Sequence, residues 1–96
     1  MLKLDVGNVL LKPSHRRQLM SWLKRAFRFG ERMGNLVISI TMHRIGRLVE
    51  IRADVADGKG VVAFRCRQSD WRDAARRLVR MLTGHLHDLG LHRLTA

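Results

Sequence analysis

Apolar residues recur along this chain with two different periods, and each change of period marks an element. Leu2, Leu4 and Val6 alternate with Lys3 and Asp5, which predicts a short strand ending at Gly7-Asn8. Val9 to Lys12 reads as an extended link into Pro13. From Ser14, a predicted N-cap, to about Phe29 the period lengthens, and Leu19, Trp22, Leu23 and Ala26 share one side of a helix. Gly30 and Gly34 bracket a turn, after which alternation returns. Leu36, Ile38, Ile40 and Met42 then point one way and Val37, Ser39, Thr41 and His43 the other. Past a tight turn at Ile45-Gly46, Val49, Ile51, Ala53 and Val55 alternate with Glu50, Arg52 and Asp54. Asp57-Gly58-Lys59-Gly60 is a hairpin signal, followed by Val62, Phe64 and Cys66 inward and Arg65 and Arg67 outward.

The two turns set registers that can be checked against each other. A turn centred on Ile45-Gly46 places Ile40 opposite Ile51 and Met42 opposite Val49. One centred on Gly58-Lys59 places Ala53 opposite Phe64, Ile51 opposite Cys66 and Glu50 opposite Arg67. Both keep the apolar side chains on one face, as a sheet packed on one side requires. The helical period comes back from Ser69 to Leu89, where Trp71, Ala74, Ala75, Leu78, Leu82 and Leu89 form a stripe. Ser69 is its predicted N-cap, Asp70 and Asp73 suit the positive end of the helix dipole, and Gly90 is the predicted stop.

Two helices with apolar stripes and a sheet with one apolar face predict an α+β fold. It is a two-layer sandwich in the order β-α-β-β-β-α, with a four-stranded sheet and both helices packed on one face. The first strand is expected to lie parallel to the strand after the first helix, through a right-handed crossover. The 96 residues, 46% of them hydrophobic, make a single domain spanning 1–96. No apolar run reaches the length of a membrane span, no signal-peptide pattern opens the chain, and the lone Cys66 suits a reducing cytoplasm.

Charge adds what periodicity cannot. Nineteen Lys and Arg stand against eight Asp and Glu, a net +11, and only Lys3, Lys12, Lys24 and Lys59 of the nineteen are lysines. So large an excess repels itself in the folded state unless a polyanion, whether RNA, DNA or an anionic membrane surface, relieves it, and arginine forks that match phosphate bidentately favour nucleic acid. Arg17, Lys24 and Arg28 sit opposite the apolar stripe of the first helix with Arg25 nearby, and no acid occurs from Ser14 to Gly30. Arg16 and Arg17 fall in its first turn, where the dipole disfavours a cation by about 0.3–1 kcal/mol and a bound phosphate would remove the conflict. On the last helix Arg72, Arg76, Arg80 and His87, with Thr83, run beside the apolar stripe. These eight side chains, Arg17, Lys24, Arg25, Arg28, Arg72, Arg76, Arg80 and His87, are the candidate RNA contacts. Trp22, Phe27, Phe64 and Trp71 mostly fall on apolar faces, so backbone and shape recognition is expected over base stacking.

Catalysis finds little support. His85 and His87 diverge on a helix, and no carboxylate pair, phosphate loop or metal-ligand spacing occurs, so no cofactor or metal is expected. The alternatives to RNA are an acidic protein partner, a membrane surface met by the basic, Trp-bearing first helix, and a His-dependent nuclease.

With the elements placed, the chain resembles the ribosome hibernation factor family, also called protein Y or ribosome-associated inhibitor, along essentially its whole length. The similarity is carried by Asp70-x-x-x-Ala74-x-x-x-Leu78-Val79-x-x-Leu82-x-x-x-Leu86, by Leu19-x-x-Trp22-Leu23-x-x-x-Phe27, and by Gly7-x-Val9. It implies docking through basic helix faces in the small-subunit channel used by messenger and transfer RNA, hence a cytoplasmic, ribosome-associated regulator of translation under stress. Its expected partner is ribosomal RNA of the small subunit, met as a monomer and without a membrane. There are departures. Met81, Gly84, His87 and Asp88 stand where the family's closing helix is usually basic, and Arg72, Arg76 and Arg80 where it tends to be aromatic or acidic. The link before the first helix is longer than usual, and the chain ends where long members continue, like the short type.

Overall fold

A computed structural model of the chain describes residues 1–28 and 36–95, with side chains through residue 88. Its elements are β1 (Leu2–Asp5), α1 (Pro13–Arg28), β2 (Val37–Ile45), β3 (Leu48–Ala56), β4 (Val61–Gln68) and α2 (Trp71–Thr95). The sheet has the order β1-β2-β3-β4, with β1 parallel to β2 and the other pairs antiparallel. This is the predicted α+β order. α2 lies over β3 and β4, and α1 lies beside α2 on the β1 side. Between the layers Ile38, Ile40, Ile51 and Val55 of the sheet meet Leu19 and Leu23 of α1 and Leu78, Leu82 and Leu86 of α2, all fully buried. Cys66 is a buried free thiol in the same core. Val62, on the predicted inward side of β4, stays exposed near the strand's start.

The second hairpin has the predicted register, with Ala53 opposite Phe64, Ile51 opposite Cys66 and Glu50 opposite Arg67. The first does not. Ile40 faces Ala53 and Met42 faces Ile51, because the turn is centred one residue later, on Gly46-Arg47. Gly46 has φ +59°, so it takes the first central position of the turn, the one that favours glycine when the second central residue keeps negative φ. The pairing slides by two residues and every side chain keeps its face.

Three helix limits also differ from expectation. Arg16 N–H donates to the Lys12 carbonyl, so Pro13 is the first helical residue and Ser14 lies inside α1 rather than capping it. Ala74 N–H donates to the Asp70 carbonyl, which makes Asp70, not Ser69, the cap position of α2. Gly90 does not stop α2, which runs to Thr95. An internal glycine costs only about 1 kcal/mol, and Leu91 and Leu94 restore helical spacing beyond it. The predicted helix end at Phe29 and the turn at Gly30 and Gly34 lie outside the described residues.

The long link from β1 to α1 is tied to β2. Asn8 Oδ1 accepts from Arg44 N–H at 2.7 Å while Asn8 Nδ2 donates to the Arg44 carbonyl at 3.3 Å. Gly7, at φ +54°, passes so close to β2 that a Cβ there would sit 2.5 Å from the Met42 carbonyl oxygen. This anchorage fixes where α1 begins, and hence where its cations lie relative to α2.

Candidate nucleic-acid interface

α1 buries Leu19, Leu23 and Ala26, so its geometry dictates that residues half a turn away face solvent. Arg16, Arg17, Lys24, Arg25 and Arg28 are all exposed and share one surface with Pro13, Met20 and Ser21. α2 buries Ala74, Ala75, Leu78, Leu82 and Leu86, which leaves Arg72, Arg76 and Arg80 exposed on the flank nearer α1. The two helices run side by side in the same sense. His15, near the start of α1, lies 5.3 Å from the Trp71 ring at the start of α2, and Trp22, two turns on, stacks on Trp71 at 6.1 Å.

Where the helices meet, a groove opens to solvent. Arg25 from α1 and Arg76 and Arg80 from α2 line it, together with Trp22, Val79 and Thr83. Arg25 also belongs to the outer surface of α1, so the cationic faces of the two helices join through it. Arg76 lies 5.6 Å over the Trp22 ring and Arg72 5.3 Å over Trp71. Each half-buried indole thus supports a guanidinium from below, and cation–π contacts of this kind contribute about 0.5–1 kcal/mol at exposed sites. Of the eight predicted side chains, six fall on this joined surface, and Arg72 lies over Trp71 at the start of α2 without lining it. His87 is exposed one turn beyond Thr83 and does not line the groove.

The ion-paired carboxylates Glu50 and Asp54 are elsewhere. Three ion pairs lie on the open face of the sheet: Arg52 with Asp54 at 2.9 Å, and Glu50 with Arg67 at 2.6 Å and Arg65 at 3.4 Å. The hydrogen bond from Arg67 holds the Glu50 carboxyl below its ordinary pKa, with help from the nearby positive charge of Arg67 and Arg65. Asp54, by hydrogen bonding and charge, likewise raises the pKa of Arg52. None of the α1 or α2 arginines is in an ion pair among the described residues. On the sheet face arginines are paired with carboxylates, whereas the described arginines of the helix layer are unpaired, although α2 also carries Asp73 and Asp88.

Sequence reasoning missed Gln18 and the exposed Arg16 as parts of this surface. Gln18 is uncharged, so a charge stripe passes over it, and only the position of α2 shows that it borders the groove. Arg16 is set apart by its unfavourable place in the first turn, and the same place puts it on the outer surface of α1. The aromatic row of His15, Trp71 and Trp22 was likewise invisible, because it spans two helices. Among the described residues no three His, Cys, Asp or Glu side chains gather to hold a metal ion, and no helix is long and apolar enough to cross a membrane.

The chain matches no protein-family model and no curated protein sequence. Its fold, however, is similar to solved structures. The N-terminal domain of Thermus thermophilus protein Y superposes with a TM-score of 0.73 at 21% identity, over 91% of this chain and 94% of that one. A ribosomal subunit interface protein from Coxiella burnetii gives 0.70 at 17% identity, over 92% of this chain and 94% of that one. The chain therefore has the fold of the protein Y, or ribosome hibernation factor, family that its helix and strand patterns resemble.

Proposed function

We propose that the protein binds structured RNA without catalysing a reaction on it, that its target is the small ribosomal subunit, and that bound there it restrains translation. One observation carries this reading. Arg25, Arg76 and Arg80 converge from two helices on one groove, and no carboxylate neutralises them among the described residues. Keeping like charges this close without counter-charge is unfavourable for the free protein, and a phosphate chain relieves it. Glu50 and Asp54 pair with arginines on the sheet face, whereas the arginines lining this groove pair with no carboxylate among the described residues. The fold shared with a ribosomal subunit interface protein supports the choice of target.

Co-sedimentation with purified 30S and 70S particles across a salt series tests the reading. Neutralising about six phosphates gives a slope of log affinity against log salt near −5 on duplex, and less on single strands. The double change Arg76→Glu and Arg80→Glu should abolish binding and leave the far-ultraviolet circular dichroism unchanged. Retained binding by a folded double variant would sink the assignment.

A further inference from the structure

The groove between α1 and α2 contains more than phosphate recognition needs. A phosphate asks only for donors, and the arginines on the rim supply them. Below the rim the groove is apolar: Ala26 is buried, and Trp22 and Val79 are half-buried. At its sides stand Gln18 and Thr83, neutral groups that each both donate and accept. Neither side chain has a hydrogen-bond partner among the described residues. The groove is open to solvent along its length and offers about 590 Å³, within the range of roughly 300–1,000 Å³ that small-molecule sites occupy.

We propose that this groove is a subsite for one unpaired ribonucleotide, with Gln18 and Thr83 reading its base edge or 2′-hydroxyl while Arg25, Arg76 and Arg80 hold the flanking phosphates. The groove has the volume of a small-molecule site, which suits one splayed nucleotide and not a duplex. Unpaired bases are also where RNA exposes the donor and acceptor edges that a pair like Gln18 and Thr83 can meet. Val79, with the part of Trp22 that Arg76 leaves uncovered, offers an apolar patch for the base to rest on. Trp22 does two things here, supporting Arg76 from beneath and closing the bottom of the groove. This inference rests on the RNA-binding reading and narrows it, from a basic surface tolerant of any phosphate chain to one that prefers a bulge or loop.

Two RNAs test it, a short perfect duplex and the same duplex with one bulged nucleotide, measured by fluorescence anisotropy at fixed salt. The wild-type protein should favour the bulged RNA at least ten-fold. Changing Gln18→Ala and Thr83→Val together, which alters no charge, should bring the ratio to within about two-fold of unity. Gln18→Ala alone, at an exposed position, should lower the ratio in the same direction and carries the test if the double variant does not fold. Equal affinity of the wild-type protein for the two RNAs, or a preference that survives the substitutions, overturns the subsite and leaves the RNA-binding reading standing. Failure to bind either RNA at low salt overturns both.

Discussion

Arg52 on β3 and Arg65 on β4 stand directly opposite each other, a pairing that like charges disfavour. Two carboxylates resolve it. Asp54 draws Arg52 along its own strand, and Glu50 takes Arg65 and Arg67 together. Glu50 consequently ionises more readily in the folded protein than in the unfolded chain, because Arg67 hydrogen-bonds the carboxylate form. A carboxyl whose pKa falls on folding contributes stability above its unfolded value, here the ordinary 4.5, and loses it as pH drops through the lower folded value. Thermal melts from pH 7 to pH 3 should therefore show Glu50→Gln melting below the wild type at neutral pH, with the two curves converging under acid. Parallel curves across that range would mean that Glu50 does not carry the coupling. The Glu50–Arg67 contact was legible beforehand, since a turn on Gly58-Lys59 forces those residues across from each other on the outer face. The share taken by Arg65 was not, because it depends on how one carboxylate orients between two neighbours. The support of Arg76 by Trp22 was hidden for a similar reason, since nothing in either helix alone says what the other brings alongside.

At the scale of elements, the hydrophobic pattern named every strand and both helices but left two kinds of detail open. Sliding a strand pair by two residues leaves each side chain on its own face, so alternation cannot distinguish the register predicted for the first hairpin from the one observed. Only the position of Gly46 within the turn decides it. Helix ends were ambiguous because the capping preference of Ser69 and the stopping tendency of Gly90 are small beside the packing of the elements they adjoin. Gly84 makes the same point from inside α2. It is exposed, and a Cβ added there would meet nothing within 4 Å, so nothing in the fold asks for glycine at that position. Gly84→Ala should then stabilise the protein by about 1 kcal/mol, since alanine is the better helix former and restricts the unfolded chain. For a domain of this size that is a rise of about 4–8 °C in melting temperature. An unchanged or lower value would show that α2 meets a constraint there which its neighbours in the fold do not reveal.

For the molecule as a whole, the division between paired arginines on the sheet face and unpaired ones on the helices predicts how stability responds to ions. The excess of +11 acts against the folded state, and much of it sits on helix arginines that make no ion pair among the described residues. Salt screens exposed charges over about 8 Å at physiological ionic strength, so moving from low to high potassium chloride should raise the melting temperature of the free protein. Exposed helix cations should likewise be removable at a gain. Arg17 and Arg28 lie on the outer surface of α1 with no ion pair among the described residues. Changing both to glutamine lowers the net charge from +11 to +9, each substitution removing one positive charge. The variant should melt above the wild type at low salt, with the difference shrinking as salt rises, while its affinity for RNA falls. A stabilised protein that binds less well is the signature expected when cations are retained for a ligand. Were the wild-type protein instead to lose stability as salt is added, favourable ion pairs would outweigh repulsion, and an uncompensated helix layer would no longer explain where the arginines stand.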